Sequence, residues 1–213
     1  LTATNTYSGS TTVSGGTLQL GNGSTTGRLA TTSAVSVGSG AVFAVNRSNA
    51  VAQGTDFSAS AITGSGGFAQ TGTGTTTLST TGNSYSGGTT VNNGELRVTG
   101  SLTGGGSVIV GESGGSLTNA AVLAGAGDGT NTGVIAGAVT VGGVNSVGIL
   151  TPGVTSANAD KGTLTITANN TALTVATGSQ IQMGITTPST AAVTNYSSTF
   201  SIGATTYTNA KDY

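Results

Sequence analysis

The 213-residue sequence contains no cysteine and no histidine or tryptophan, and it has only two prolines. Without imidazole or thiolate groups, it lacks the usual side chains for proton transfer near neutral pH, thiol nucleophiles and soft metal ligands. Without cysteine it cannot form a disulfide, so order must come from backbone hydrogen bonds and apolar packing. We therefore expect no enzymatic activity, no cofactor and no metal site.

Charge is also scarce, with five basic and six acidic residues and a formal net charge of −1. The basic residues are too scattered to form a patch that neutralises phosphates, so we expect no nucleic-acid partner. No apolar run reaches the roughly 18 to 20 residues of a membrane helix, and we expect no membrane insertion by this segment. A net charge near zero favours self-association instead.

Glycine is abundant, with 38 residues, and helical periodicity is almost absent. Short runs of alternating apolar and polar residues are separated by glycine-containing turns, a pattern typical of strands of three to five residues. Clear examples are Val35–Val37, Val42–Val45, Ser107–Val110, Ala138–Val141, Leu164–Thr167 and Leu173–Val175. The sequence therefore predicts an all-β fold.

An internal repeat is the most informative feature of the chain. Between residues 2–20 and 80–98, an offset of 78, ten of nineteen positions are identical. Repeats of this kind indicate stacked units that share one continuous core. We assign the structural repeat to Asn5, Tyr7, Gly9, Val13, Gly16 and Leu18 in the first copy, and to Asn83, Tyr85, Gly87, Val91, Gly94 and Leu96 in the second.

Such short strands fit a sandwich, a barrel or a solenoid, and the low aromatic content decides among them. Four phenylalanines and five tyrosines are few for a sandwich or barrel core, whereas a narrow parallel β-helix is filled by aliphatic residues. Coils of roughly 20 to 25 residues would give about nine or ten coils and a rod about 45 Å long. The offset of 78 would then be three or four coils.

Within each repeat we expect alternate strand residues to point inward and the tyrosine ring to cover a corner of the coil. The predicted core residues are Val13, Leu18 and Leu20, with Val91, Leu96 and Val98 as their counterparts.

The unit N-x-Y-S-G-G-T-T-V-x-x-G-x-L-x-V, present at 83–98 and slightly altered at 5–20, resembles the autotransporter-associated β-strand repeat of passenger domains in Gram-negative bacteria. Residues 138–143, 148–153 and 162–166 are similar to a second pattern of the same surface proteins. The resemblance implies a right-handed parallel β-helix in one rod-like domain, exported and displayed outside the cell. It further implies that the repeat acts in folding and secretion rather than in chemistry.

The last part of the chain departs from this pattern. Residues 186–213 match the repeat poorly and are the most aromatic part of the sequence, with Pro188, Tyr196, Phe200, Tyr207 and Tyr213. We therefore divide the chain into a β-solenoid at 1–185 and a C-terminal cap or contact segment at 186–213.

Candidate reactive groups are few and isolated. Glycan-active enzymes on β-helices need clustered carboxylates with a basic residue nearby, whereas the six acidic residues are scattered singly; stacking could bring only Glu95 and Glu112 together. Residues 128–133 resemble the start of a calcium loop, but Val139 stands where its closing glutamate is required. Threonine runs such as 75–77 raise an ice-binding alternative. The carboxylates are Asp56, Glu95, Glu112, Asp128, Asp160 and Asp212.

Two functions follow as expectations. The first is a non-catalytic extracellular structural or adhesion protein that contacts surface glycans, joined to the rest of a longer passenger. The second is a subunit of an extracellular filament in which copies of the chain stack end to end, because a full repeat begins at Thr2 with no cap before it. A glycan-active enzyme and an ice-binding solenoid are the remaining alternatives.

Overall fold

The computed structural model describes residues 1–111, 121–126, 132–143, 146–153, 163–168 and 171–182, together with the backbone of 195–202 and 205–212. It contains 21 strands. They are β1 (Thr11–Val13), β2 (Thr17–Ser24), β3 (Val35–Val37), β4 (Val42–Arg47), β5 (Val51–Ala52), β6 (Thr63–Gly64), β7 (Gly67–Gln70), β8 (Thr75–Leu78), β9 (Thr89–Val91), β10 (Glu95–Val98), β11 (Ser101–Leu102), β12 (Val108–Val110), β13 (Ala121–Ala124), β14 (Thr132–Ile135), β15 (Val139–Val141), β16 (Gly148–Thr151), β17 (Thr163–Ile166), β18 (Leu173–Val175), β19 (Gln180–Ile181), β20 (Asn195–Ile202) and β21 (Thr205–Asp212).

The first nineteen strands form three parallel faces, which the chain visits in turn. Face 1 consists of the sheets β1-β3-β6 and β11-β14-β17, face 2 of β2-β4-β7-β9-β12-β15-β18, and face 3 of β5-β8-β10-β13-β16-β19. The segment 83–86 joins the two halves of face 1. On the β6 side the Ser86 amide donates to the Gly64 carbonyl (3.0 Å), and on the β11 side the Thr103 amide donates to the Asn83 carbonyl (2.7 Å). The fold is a parallel β-helix, which confirms the predicted fold class.

Alternation within each strand builds the core, because successive side chains point to opposite sides of a sheet. On face 2, one inward column consists of Leu20, Val45, Gln70, Val91, Val110 and Val141, and all six are fully buried. Positive φ angles at glycine make the sharp corners; Gly16 (φ 67°) and Gly94 (φ 59°) turn the chain at the same place in the two repeats.

The coils are longer and fewer than the sequence predicts. On face 2, the partners Thr17 and Val42 are 25 residues apart, and Thr89 and Val108 only 19. Val139 and Leu173, however, are 34 apart. The seven strands of this face make seven coils in the described part of the chain, spanning roughly 30 Å at about 4.8 Å per strand. The seven coils that the structure describes are fewer than the nine or ten expected, because Val108 and Val139 are 31 residues apart and Val139 and Leu173 are 34 apart.

Four aromatic residues lie inside the early coils. Phe43 packs edge-to-face against Phe57 and Phe68, with ring centroids 5.7 and 5.9 Å apart, and Phe68 contacts Tyr85 at 6.1 Å. All four rings are buried. Edge-to-face contacts of this kind add to the energy of apolar burial. These rings form a ladder that fills part of the interior of these coils.

The strands β20 and β21 form an antiparallel two-stranded sheet of their own. Both belong to the segment 186–213 that the sequence sets apart. Pro188 and Tyr213 lie outside the described residues. The division of the chain near residue 185 stays a prediction.

Candidate functional site

The two repeat copies occupy different faces of the β-helix. In the first copy β1 lies on face 1 and β2 on face 2, whereas in the second copy β9 lies on face 2 and β10 on face 3. Thr12 therefore stacks on Ser36, while its counterpart Thr90 stacks on Ala69. The offset of 78 corresponds to three coils plus one face, not to a whole number of coils. The same sequence unit thus meets different neighbours at its two positions.

The tyrosines show the consequence most clearly. Tyr85 is 4% exposed and its hydroxyl is 2.8 Å from Thr89 Oγ1, whereas Tyr7 is 44% exposed with its hydroxyl 2.9 Å from Thr11 Oγ1. Burial raises the pKa of Tyr85 above the usual tyrosine value, and the bond to Thr89 opposes this only in part. The prediction that both rings cover a corner is wrong for Tyr85. It enters the core because 84–86 lies between two coils of face 1.

The asparagines tie neighbouring coils together. The side chain of Asn83 is fully buried; its Oδ1 accepts from the Ile62 amide (2.9 Å) and from Gln53 Nε2 (3.0 Å). Its Nδ2 donates to the Thr80 carbonyl (2.8 Å) and to Gln53 Oε1 (3.3 Å). Asn5 is half-buried, and its Nδ2 donates to the Ala3 and Arg28 carbonyls, both at 3.0 Å. Asn5 bonds to the backbone of the next coil and Asn83 to that of the preceding one, but only Asn83 does so without contact with water.

The glycines of the S-G-G segment form one corner of the coil. A Cβ added at Gly87 would lie 2.5 Å from the Gly66 carbonyl carbon, and one at Gly106 would lie 2.5 Å from the Gly88 amide nitrogen. Nothing lies within 4 Å of a Cβ added at Gly9. Only glycine therefore fits at Gly87, while the first copy tolerates a side chain at the matching position.

The apolar strand residues follow the predicted inward pattern in all but one case. Leu18 is only half-buried, because β2 is the first strand of face 2. The other five predicted core residues of the repeat are each 7% exposed or less: Val13, Leu20, Val91, Leu96 and Val98.

Buried glutamines are polar positions that the sequence analysis missed. Gln53 bonds to Asn83, and Gln70, which is fully buried, accepts from the Thr76 hydroxyl (2.6 Å) and donates to the Gly72 and Gly74 carbonyls. The signal was present, since Gln70 ends the alternating run Phe68-Ala69-Gln70 at an inward position. The side-chain amides of Gln53 and Gln70 thus donate to backbone carbonyls of the turns from the inside of the coil.

The carboxylates of the solenoid that the structure describes are both paired with arginine. Asp56 Oδ1 lies 3.2 Å from Arg28 Nε and 3.6 Å from Arg47 Nη1, and Glu95 Oε1 lies 2.6 Å from Arg97 Nη2. Glu112, Asp128 and Asp160 lie outside the described residues, and Asp212 is in β21. The predicted approach of Glu95 and Glu112 and the calcium-like loop therefore stay untested.

No set of three potential metal-ligating side chains comes together in the described ranges. Among these residues, no helix has the length and apolar character needed to cross a membrane. The threonine run 75–77 does not continue as a rank along face 3, because Thr75 stacks under Glu95 and Thr77 under Arg97. A flat threonine surface of the kind expected for ice binding is therefore interrupted by charge at this place.

Comparison with known proteins gives one match. The family model described as passenger-associated-transport-repeat matches residues 1–20 and 68–98, which include both repeat copies. No curated protein matches the chain, and no solved structure does. The second match also contains β7 and β8, the strands that lie beneath β9 and β10. The segments 1–20 and 68–98 are thus similar to passenger-associated-transport repeats, which confirms the resemblance to the autotransporter passenger repeat found in the sequence.

Proposed function

We propose that this chain is a non-catalytic, passenger-type β-solenoid displayed outside a Gram-negative bacterial cell, where it serves a structural or adhesive role. The observation that carries the proposal is that both family-matching repeats are integral parts of one continuous parallel β-helix. The asparagine and apolar residues of both copies, and Gly87 and Gly94 of the second, contact neighbouring coils. Such residues act in building the rod, as expected of a repeat that supports folding and export.

The polar groups of the described solenoid support a non-catalytic role. Asp56 and Glu95 are held by arginines, and every described buried side-chain nitrogen or oxygen has a hydrogen-bond partner. Groups that are already satisfied in this way have little capacity to bind and activate a substrate.

The outward side of face 2 supports an adhesive role. Thr90, Thr140 and Thr174 occupy one outward column with Ala69 and Ile109, and none of these positions carries a charge. Thr140 and Thr174 are on neighbouring strands about 4.8 Å apart, and Thr90 lies two strands before Thr140, beyond Ile109. Hydroxyl groups arranged in this way along a rod suit weak contacts with glycans or other surfaces. The rod would also hold such a surface away from the cell.

Surface display can be tested with the full-length protein in its own bacterium. An epitope tag inserted between Ser39 and Gly40 lies in an exposed turn, where Gly40 has open space around it. We expect intact cells to bind the tag antibody, with a tagged cytoplasmic protein as the control. Staining that requires permeabilised cells would contradict the proposal. Deletion of the gene should reduce adhesion or cell aggregation, and unchanged adhesion, aggregation and envelope properties would count against the adhesive role.

Filament formation is a second candidate, and the edge of β2 favours it. Leu1 accepts from the Gly21 amide (2.8 Å) and donates from its amino group to the Gln19 carbonyl (2.5 Å), so this edge takes up a further extended peptide. Another copy of the chain could pair with the part of the β2 edge that Leu1 leaves open, as exposed strand edges do. Continuous fibres in electron micrographs would support the filament, and a strictly monomeric species at high concentration would contradict it.

A further inference from the structure

Face 1 carries a column of outward hydroxyl groups. In its first half, the strand register sets Thr12 beside Ser36 and Ser36 beside Thr63. The Ser84 amide donates to the Ile62 carbonyl (2.9 Å), which in a parallel ladder places Ser84 beside Thr63. The column therefore runs without a break through these four coils.

The column continues through the second half of face 1. The bridge between Asn83 and Leu102, with the pairing of β11 to β14 and of β14 to β17, fixes the register there. Ala136 occupies one position, where its amide donates to the Leu102 carbonyl (2.9 Å). The other positions all carry a hydroxyl, and they are Thr12, Ser36, Thr63, Ser84, Thr103 and Thr167.

These hydroxyls point away from the core and are accessible. Strand alternation places them opposite to buried residues such as Val13 and Val37. Ser36 is half-buried, and the other five are exposed. Only two of the six donate a hydrogen bond to the described residues, and both bonds are long: the Thr103 and Thr167 hydroxyls donate to backbone carbonyls at 3.3 and 3.5 Å. The column therefore has unused donors and acceptors, since each hydroxyl offers one donor and two lone pairs.

The matching outward columns of the other two faces are mixed. The column of face 2 has hydroxyls only at Thr90, Thr140 and Thr174. On face 3, the column that contains Glu95 has a hydroxyl only at Thr75. Face 1 differs from both because its column presents a hydroxyl on nearly every coil.

The chemistry of the face 1 column selects its partner. The column has no charge, so an ionic partner would lose hydration without gaining an ion pair. It also lacks the aromatic and large apolar side chains that dominate protein–protein interfaces, which argues against a second copy of the chain. Hydroxyls at intervals of about 4.8 Å can exchange hydrogen bonds, directly or through water, with a partner that also carries hydroxyls at short regular intervals. An extended neutral polysaccharide has this chemistry.

We propose that face 1 binds an extended neutral polysaccharide that lies along the rod, with the hydroxyl column as the contact surface. Each hydroxyl contributes little, and the affinity comes from the number of contacts that one polymer makes at once. Long polymers should bind, whereas short oligosaccharides of the same sugars should not. The inference rests on the adhesive role proposed above, and it assigns the glycan contact to face 1 rather than to face 2.

Electrophoresis of the purified chain in native gels that contain glucomannan, a neutral polysaccharide, tests the proposal. Retardation relative to a gel without polysaccharide measures the Kd. The variant Thr12→Val/Thr63→Val/Thr103→Val removes three hydroxyls, keeps the strand propensity and should raise the Kd by about tenfold or more. The matched variant Thr90→Val/Thr140→Val/Thr174→Val, on face 2, should leave it unchanged. A wild-type chain that is not retarded, or equal retardation of the two variants, would overturn the proposal.

A conservative variant separates lost hydroxyls from a damaged fold. Thr12→Ser/Thr63→Ser/Thr103→Ser keeps every hydroxyl and should bind as the wild type does, and loss of binding here would overturn the proposal. Dimers in sedimentation experiments that the face 1 valine variant abolishes would identify a second copy as the occupant and overturn it as well. Cells that display the tagged protein and adhere, although the purified chain is not retarded by glucomannan, would overturn this inference alone and leave the proposed function standing.

Discussion

The two copies of the repeat have nearly the same sequence and quite different surroundings. Tyr7 is exposed and Tyr85 buried; Asn5 is half-buried and Asn83 enclosed; Gly9 has open space and Gly87 has none. The first copy lies at the edge of the stack, and the second has a coil on either side. The comparison teaches that the repeat specifies a local path, strand then corner then strand, while the stacking neighbours decide how much each residue stabilises the fold.

The largest difference is expected for the inward leucines of the two copies. Leu96→Ala empties a fully buried site between two coils and should cost about 3–5 kcal/mol of unfolding free energy. Leu18→Ala removes a half-buried side chain at the edge and should cost about 1–2 kcal/mol. Urea unfolding of the two variants measures the comparison. Equal losses would show that both copies are packed alike.

The asparagine pair should differ almost as strongly. Asn83→Ala leaves the Ile62 amide without a partner inside the core and removes both hydrogen bonds to Gln53, which should cost about 3 kcal/mol. Asn5→Ala exposes its two carbonyl partners to water and should cost about 1 kcal/mol or less. Thermal and urea unfolding report both values. A larger loss for Asn5→Ala than for Asn83→Ala would contradict the assignment of neighbours.

The glycine pair sharpens the comparison by adding atoms instead of removing them. In Gly87→Ala the new methyl group meets the backbone of Gly66 and should cost about 2 kcal/mol as the coils shift apart. Gly9→Ala meets nothing and should be neutral or stabilise the chain by up to about 1 kcal/mol, because it restricts the unfolded state. The informative result is the sign of the change in unfolding free energy for Gly9→Ala. A clear destabilisation would contradict the open space around Gly9, because it would mean that another part of the chain contacts this position.

The tyrosine pair gives the smallest effect at neutral pH and a distinct one in alkali. Tyr85→Phe should cost about 1 kcal/mol through its bond to Thr89. Burial raises the pKa of Tyr85, so above about pH 10 the unfolded chain loses this proton while the folded chain keeps it, and stability falls as pH rises. Unfolding between pH 8 and 11 should show a shallower fall in Tyr85→Phe. The matched Tyr7→Phe keeps Tyr85 and should keep the wild-type slope; identical slopes in both variants would rule out the buried tyrosine as the cause.

The sequence predicted the fold class and most of the core, since these depend on local signals. Alternation in Thr89–Val91 and glycine at Gly16 and Gly94 determine strands and corners without reference to distant residues. Stacking neighbours were beyond sequence reasoning because the coil length varies from 19 to 34 residues between Thr89 and Leu173. The burial of Tyr85 and the inward amides of Gln53 and Gln70 follow from that register.

Chemical cross-linking tests the one-face displacement of the two copies most directly. Thr12 stacks on Ser36 and Ser36 on Thr63, so a second copy on the same face would place Thr90 over Thr63; the structure places Thr90 over Ala69. Neighbouring strands about 4.8 Å apart are within the Cα range of a disulfide. In this cysteine-free chain, oxidation should cross-link the double variant Ala69→Cys/Thr90→Cys and leave Thr63→Cys/Thr90→Cys unlinked. The reverse result would contradict the account.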